Sequence, residues 1–405
     1  MKEILKIVRK LSADYIFPIS KPPVKNGILL VNESGKIMED VIDPETLDYK
    51  INDVENHSGF ICPGFINTHC HLELSYLKDQ IPKHSGLNRF IREIEHIRKN
   101  ANESMIDEAM IKAENDMIQN GIVAVGDISN NNASFKIKNN SPLYYHTFIE
   151  VFASDSKKAK FVFDKSLTLF NEISKNSKNK EASITPHAPY SLSKDLFCSI
   201  KDFSEKTGNI LSIHHQESET ENDFFLRKNE PKKNNNLHFG VINSDFAGCG
   251  LRPISAISSF LPINNKILFV HNTVANEADI DFALSYFPHT YWCFCPNANL
   301  YIEQKLPDFS LFFNRKCKIT IGTDSLASNY ELSVLKELQC ISSNMPFMPL
   351  TELLKWATRN GAEFMEIQEN YGSLEKGKKP GINLITNVNV ERLQLTKNAT
   401  IHVLS

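Results

Sequence analysis

The chain has 405 residues, 41% hydrophobic and 23% charged, an ordinary globular balance with enough apolar material for a barrel-sized core. Its formal net charge of -3 gives no surface suited to nucleic acid or to an anionic membrane. Met1–Ser20 mixes Lys, Glu and Arg with apolar residues and no later stretch is long and apolar enough for a span, so a cytoplasmic protein is expected.

The first sixty residues read as short strands broken by turns: Tyr15–Ile19, then Gly27–Val31, then the turn Asn32–Gly35. From there the texture changes to short apolar runs alternating with longer amphipathic segments. The runs are Gly64–Thr68, Ile122–Val125, Leu143–Ile149, Ala182–Thr185, Ile210–Ile213, Ile267–Val270, Thr290–Phe294 and Ile319–Ile321. Helical stretches such as Ile106–Asn120 and Asp195–Lys206 separate them. Eight strands alternating with helices predict an α/β fold, a parallel (β/α)8 TIM barrel. The polar runs Lys175–Lys180 and Lys228–Asn236 read as solvated loops, and the last thirty residues return to strands at Ile382–Ile385 and Thr400–Leu404.

The eight cysteines form no C-x-x-C pair. Cys293 and Cys295 would share one face of a strand, where buried thiols are expected rather than ligands or a disulfide.

In such a barrel, reactive side chains collect at the C-terminal ends of the strands. In chain order those ends carry His69 and His71, Asp127, Glu150, His187, His214 with Glu217, His271, Asn297 and Asp324. Each alone says little, since H-x-H is weak among 13 histidines and Asp before Ser is a common turn. Together, His69, His71, His214 and Asp324 place three imidazoles and a carboxylate where one divalent metal can sit, zinc or ferrous iron.

Six segments carry a family resemblance: Pro63–His71, Thr185–Pro189, Ser212–Ser218, Leu268–Asn272, Cys295–Asn299 and Gly322–Asn329. In this order they resemble the successive signatures of the amidohydrolase superfamily, in its deaminase and chlorohydrolase branch. Within that branch His187–Ser191, Leu268–Asn272 and Ser333–Leu338 are most similar to the aminodeoxyfutalosine deaminases. The resemblance implies a small β-sandwich built from residues 1–60 and 376–405, flanking a metal-dependent hydrolase barrel at 61–375, and a homodimer. Binuclear members carry a lysine at the end of strand four. Here that strand ends Thr185-Pro-His187, which implies one metal, zinc first and iron second, with Glu150 the residue that would recruit another ion. Gly372–Lys379 nearly spells a P-loop but lacks its Ser/Thr and runs into a strand pattern, so no nucleotide phosphate site is expected. Where family members carry Ala-Asp, this chain has Pro380-Gly381.

The same resemblance assigns roles. A metal-activated water attacks an sp2 carbon, Asp324 accepts its proton, His271 orients it, and Glu217 passes a proton to a ring nitrogen. His187 faces the substrate; Glu73, Asn297 and Ser328 are further expected substrate contacts, with Asn329 at the mouth and Asp127 behind the ligands. The expected function is hydrolytic deamination of a purine-like or other N-heterocyclic small molecule, such as aminodeoxyfutalosine or an adenosine-type nucleoside. Two alternatives stand beside it: hydrolysis of a cyclic amide or carbon–halogen bond at the same site, and a barrel that binds without turnover. The loops Lys78–Asn100 and Gln216–Asp245, where specificity would reside, carry no readable code.

Overall fold

A computed structural model of the chain describes residues 9–175, 180–227 and 245–405. The polar run Lys228–Asn236 and most of Lys175–Lys180 lie outside them. The described residues fall into two compact units, one of residues up to Asn67 with 115–124 and 333–405, the other of Thr68–Glu114 and Val125–Leu332. No helix among the described residues is long and apolar enough to cross a membrane.

In chain order the strands are β1 (Arg9–Ile16), β2 (Val24–Lys25), β3 (Ile28–Val31), β4 (Glu55–Pro63), β5 (Phe65–Cys70), β6 (Ile122–Ser129) and β7 (Tyr144–Val151). They continue with β8 (Lys180–Pro186), β9 (Leu211–His215), β10 (Ile267–His271), β11 (Thr290–Phe294), β12 (Lys318–Ile321), β13 (Ile382–Thr386) and β14 (Thr400–Val403). The two ends of the chain meet in one six-stranded sheet of order β14-β13-β4-β1-β2, with β3 also on β1. β4 is the hinge of this sheet, parallel to β1 on one side and antiparallel to β13 on the other. Leu11, Leu29, Val31, Ile61 and Ile382 meet in its core, all but inaccessible to water. β4 escapes a reading by periodicity because its first half, Glu55–Ser58, is polar and only Gly59–Pro63 is buried. Gly381 takes a left-handed φ of 71°, which lets Pro380-Gly381 turn so that both carbonyls accept the Gly64 N–H.

β5 to β12 are the eight strands expected of the barrel, each within a few residues of its apolar run. β9 to β11 are buried at every position, as strands of a parallel sheet covered on both faces must be. They join as two four-stranded sheets, β5-β6-β7-β8 and β9-β10-β11-β12. The expected helices run from Glu103 to Gln119 and from Lys194 to Thr207. The second is bounded as its sequence dictates, with the Ser193 hydroxyl accepting from the Leu196 N–H and Gly208 left-handed at the end.

Two seams close the ring, and threonines stitch both. Between β5 and β12, Thr68 Oγ1 lies 2.7 Å from Thr320 Oγ1 and donates to the Ile321 carbonyl at 3.1 Å. Above it the Thr323 and Asp324 N–H groups both donate to the His69 carbonyl, at 3.0 and 3.1 Å. Between β8 and β9, Thr185 Oγ1 accepts from the Ser212 N–H at 2.8 Å and donates to the Ser212 carbonyl. The His214 N–H then donates to the His187 carbonyl at 2.9 Å. The first seam needs Gly322: a Cβ there would meet Cys293 Sγ and His69 Cβ, both at 2.8 Å. Gly322→Ala is therefore expected to lower the denaturant midpoint by an amount corresponding to about 1–3 kcal/mol, the usual penalty of overpacking. An unchanged midpoint would mean that the seam opens freely.

Candidate active site

The seams deliver the ligand-type side chains. His69 belongs to β5, His71 follows it, His214 and His271 come from β9 and β10, and Asp324 follows β12. His71 Nε2 lies 3.1 Å from His69 Nε2 and 3.2 Å from His214 Nε2. Asp324 Oδ1 stands 3.7 Å from His69 Nε2 and 3.5 Å from His71 Nε2. His271 is drawn in as well: one donor atom each of His69, His214, His271 and Asp324 lie within 4.8 Å of one another. Two ligands on a tetrahedral cation with bonds of about 2.05 Å stand roughly 3.3 Å apart, so the imidazole nitrogens already have a metal's spacing.

The far sides of two of the rings are fixed too, as is usual for metal-binding imidazoles. His214 Nδ1 lies 3.0 Å from the His187 carbonyl oxygen, and His271 Nδ1 lies 2.8 Å from Asn299 Oδ1. Donation from Nδ1 leaves Nε2 of both rings as the lone pair facing the cluster. The Ser328 hydroxyl donates to Asp324 Oδ2, which leaves Oδ1 toward the histidines. Asp127, in a fully buried ion pair with Lys138, accepts the Leu72 N–H at 2.8 Å and so pins the turn that follows His71. Four residues here have left-handed φ values: His271, Asn272, Asp324 and Gln216, at 72°, 54°, 56° and 45°.

The charge states suit a cation. Burial depresses His69 and His271 to about 4 and His71 well below its ordinary value, so these rings are neutral. Burial alone would penalise a charged Asp324, but the His69 hydrogen bond and the nearby imidazoles hold it far below the usual carboxylate range. His214 differs. Burial pushes it down, yet the Glu150 carboxylate beside Nδ1 outweighs that and carries it up to about 9. A cation at Nε2 displaces one of the two protons and leaves the other on Nδ1.

The cluster forms one end of a cavity of about 510 Å³, bordered by His71, Glu150, His187, Glu217 and Asp324. Leu87, Phe90, Ile91 and Ile94 of the helix Leu87–Arg98, with Phe152 opposite, make its apolar wall. Glu217 Oε1 lies 3.8 Å from His271 Nε2. Burial, with Asp324 and Glu303 adding to it, raises the Glu217 carboxyl to about 8, so near neutral pH it carries a proton it can donate. Its backbone N–H donates to Glu221 Oε2 at 3.1 Å, and burial lifts Glu221 to about 8 as well.

Of the expected substrate contacts, His187 borders the cavity, held by Ser191 Oγ at 3.0 Å from its Nδ1. The other three are placed elsewhere. Glu73 is buried against Arg98 at 2.6 Å. Ser328 is fully buried and its hydroxyl is turned to Asp324. Asn297, on the helix Pro296–Glu303, stands off the cavity lining, and it is Asn299, two residues on, that reaches His271. Asn329 is buried and donates to the Thr323 carbonyl at 2.8 Å, so it braces the turn after β12 rather than the mouth. Sequence reading missed Asn299, Glu221, Asn130 and Lys138. Asn299 alone left a signal, inside a motif already singled out. Cys293 and Cys295 are buried thiols without a disulfide, as expected.

Comparison with known proteins fits this geometry. The profile of the Amidohydrolase family matches residues 60–402. The aminodeoxyfutalosine deaminase of a Nitratiruptor species is 27% identical over 82% of this chain and 80% of its own. The crystal structure of Helicobacter pylori aminofutalosine deaminase in complex with methylthio-coformycin superposes with a TM-score of 0.76 at 24% identity, covering 93% of this chain and 92% of that one. An adenosine deaminase from Xanthomonas campestris with bound zinc gives 0.75 at 16% identity, covering 98% and 90%.

The paired acids leave a signature in stability. A carboxyl whose folded pKa is raised to about 8 stabilises fully below its unfolded pKa, near 4.3, and that contribution is lost as pH rises toward 8. Glu221→Gln mimics the neutral acid and keeps an oxygen for the Glu217 N–H. In metal-free protein, denaturation from pH 5 to 8 is expected to show the variant gaining on the wild type as pH rises. Parallel curves would show that Glu221 is ionised throughout.

Proposed function

The chain belongs to the amidohydrolase family, and from that premise we propose that it is a metal-dependent deaminase of adenosine-type nucleosides, aminodeoxyfutalosine among them. The observation that carries this reading is Glu217, a buried carboxyl whose Oε1 lies 3.8 Å from His271 Nε2, at the edge of a cluster of four imidazoles and one carboxylate. Hydrolysis of an amide has less need of such a donor, whereas displacing an amine from an amidine requires a proton on the adjacent ring nitrogen. A divalent cation held by His69, His71, His214 and Asp324 supplies the Lewis acidity that makes water a nucleophile at neutral pH. We assign zinc, because three imidazoles and one carboxylate suit it and a structural neighbour carries it.

The protein's own groups do the rest. Asp324, anchored through Oδ2 by Ser328, keeps Oδ1 as the acceptor for the attacking water's proton. His271, fixed by Asn299, offers its Nε2 lone pair to the same water and orients it. Glu217 delivers its proton to the ring nitrogen, Asp324 returns the one it took to the departing amine, and the new hydroxyl gives its proton back to Glu217, so that ammonia leaves and the ring keeps a carbonyl. The cavity is larger than a base needs. A nucleoside fills it, with the base against Glu217 and an apolar sugar substituent against Phe90, Ile91 and Ile94.

Ammonia release from a panel of purines, adenosine-type nucleosides, pterins and aminodeoxyfutalosine tests this, with metal content measured on the same preparation. Turnover of nucleosides over free bases, with about one zinc per chain, is expected. Glu217→Gln should keep its metal and lose about 10²–10⁴ in kcat, the range of general acid–base catalysis. Asp324→Asn should abolish turnover. Full activity in Glu217→Gln would overturn the proton-delivery role, and silence across the panel with metal bound would move the reaction to another bond.

A further inference from the structure

An unbroken chain of polar contacts runs from the cavity wall to His214. Arg98, the last residue of the helix Leu87–Arg98, donates from Nη2 to Glu73 Oε1 at 2.6 Å and to Asn130 Oδ1 at 3.2 Å. Asn130 closes the ring with its backbone N–H to Glu73 Oε2 at 3.2 Å. Its Nδ2 donates to Glu150 Oε2 at 2.9 Å, and the other oxygen of Glu150 stands 3.3 Å from His214 Nδ1. The amide of Asn130 has one workable orientation here, N–H toward the carboxylate and oxygen toward the guanidinium. The hydrogen bonds from Arg98 to Glu150 therefore each have a defined direction, and the last step, Glu150 to His214, is an ion-pair contact beside the bond that His214 Nδ1 makes to the His187 carbonyl.

We propose that Glu150 is a positioning residue that sets the imidazole of His214, and that Arg98 holds it there through Asn130 and Glu73. This rests on the metal-site reading above. A carboxylate behind a ligating imidazole fixes the ring's orientation and raises its basicity. Glu150 is buried, with one carboxylate oxygen held by Asn130. Arg98 is a third exposed and lies on the cavity-lining helix. Its charge sits beside two buried carboxylates; without it Asn130 loses the partner that orders its amide.

The test uses the full-length protein, with zinc and cobalt(II) as probes in competition with a chelator. Glu150→Gln must turn an amide N–H toward Asn130 Nδ2 or toward His214 Nδ1, and zinc affinity is expected to fall about 10–100-fold. Arg98→Met should weaken it several-fold and Arg98→Lys should recover part of the loss. Both Glu150→Gln and Arg98→Met should shift the ligand-field absorption of bound cobalt. The double variant Glu150→Gln/Arg98→Met should bind no more weakly than Glu150→Gln alone, because both act on one ring. Wild-type affinity in Glu150→Gln, or additive losses in the double variant, would overturn the proposal. So would a wild type that binds two metals and loses one on Glu150→Gln, since Glu150 would then be a ligand. A wild type that takes up no zinc fails at the metal-site reading, before any variant is compared.

Discussion

The structure depends on keeping lone pairs crowded together at the buried end of a cavity. His69, His71 and His214 hold their Nε2 atoms 3.1–3.2 Å apart at positions that are all but inaccessible. Neutral imidazoles at that spacing repel unless a proton or a cation lies between them, and burial makes the proton costly. His214 and His271 are committed from behind, by the His187 carbonyl and the Asn299 amide. The left-handed residues His271 and Asp324 belong to the same economy of space. Ordinary backbone would carry their side chains past the cluster, and the surrounding ladder and threonine contacts hold them in the rarer conformation.

That commitment extends outward in shells the chemistry does not touch. Ser328 fixes one oxygen of Asp324, Asn299 fixes His271, and the buried pair Lys138–Asp127 fixes the peptide after His71. Three residues expected near the substrate, Glu73, Ser328 and Asn329, are turned to Arg98, Asp324 and the Thr323 carbonyl. Polar residues close to a buried metal site are more often needed to aim a ligand than to meet a substrate. The cavity's apolar lining comes instead from a helix that brings none of the site's ligands.

Much of this was legible in the sequence because two signals coincide. The eight apolar runs mark strands by their continuity, and the polar residue that ends each run marks the face where strands converge. His69, His71, His214, His271 and Asp324 all follow from that rule. β4 did not follow, since half of it is polar and its pairing depends on β13, more than three hundred residues later. Nor did the bracing network. Arg98, Asn130 and Lys138 lie outside every motif, and what they do depends on distances set by packing rather than on spacing along the chain. Asn297 and Asn299 show the limit most narrowly: two identical side chains less than one turn apart, separated only by which way the helix faces.

The two seams of the barrel carry a final consequence. Backbone ladders run unbroken within each half of the ring, but the halves are joined by threonine hydroxyls and a few irregular bonds. His69 and His71 belong to one half, while His214 and Asp324 belong to the other. A cation bound by all four is thus a rivet across a joint, adding stiffness where the sheet itself supplies least. Occupancy of the site and rigidity of the ring become one property, and the metal-free barrel is the more compliant object.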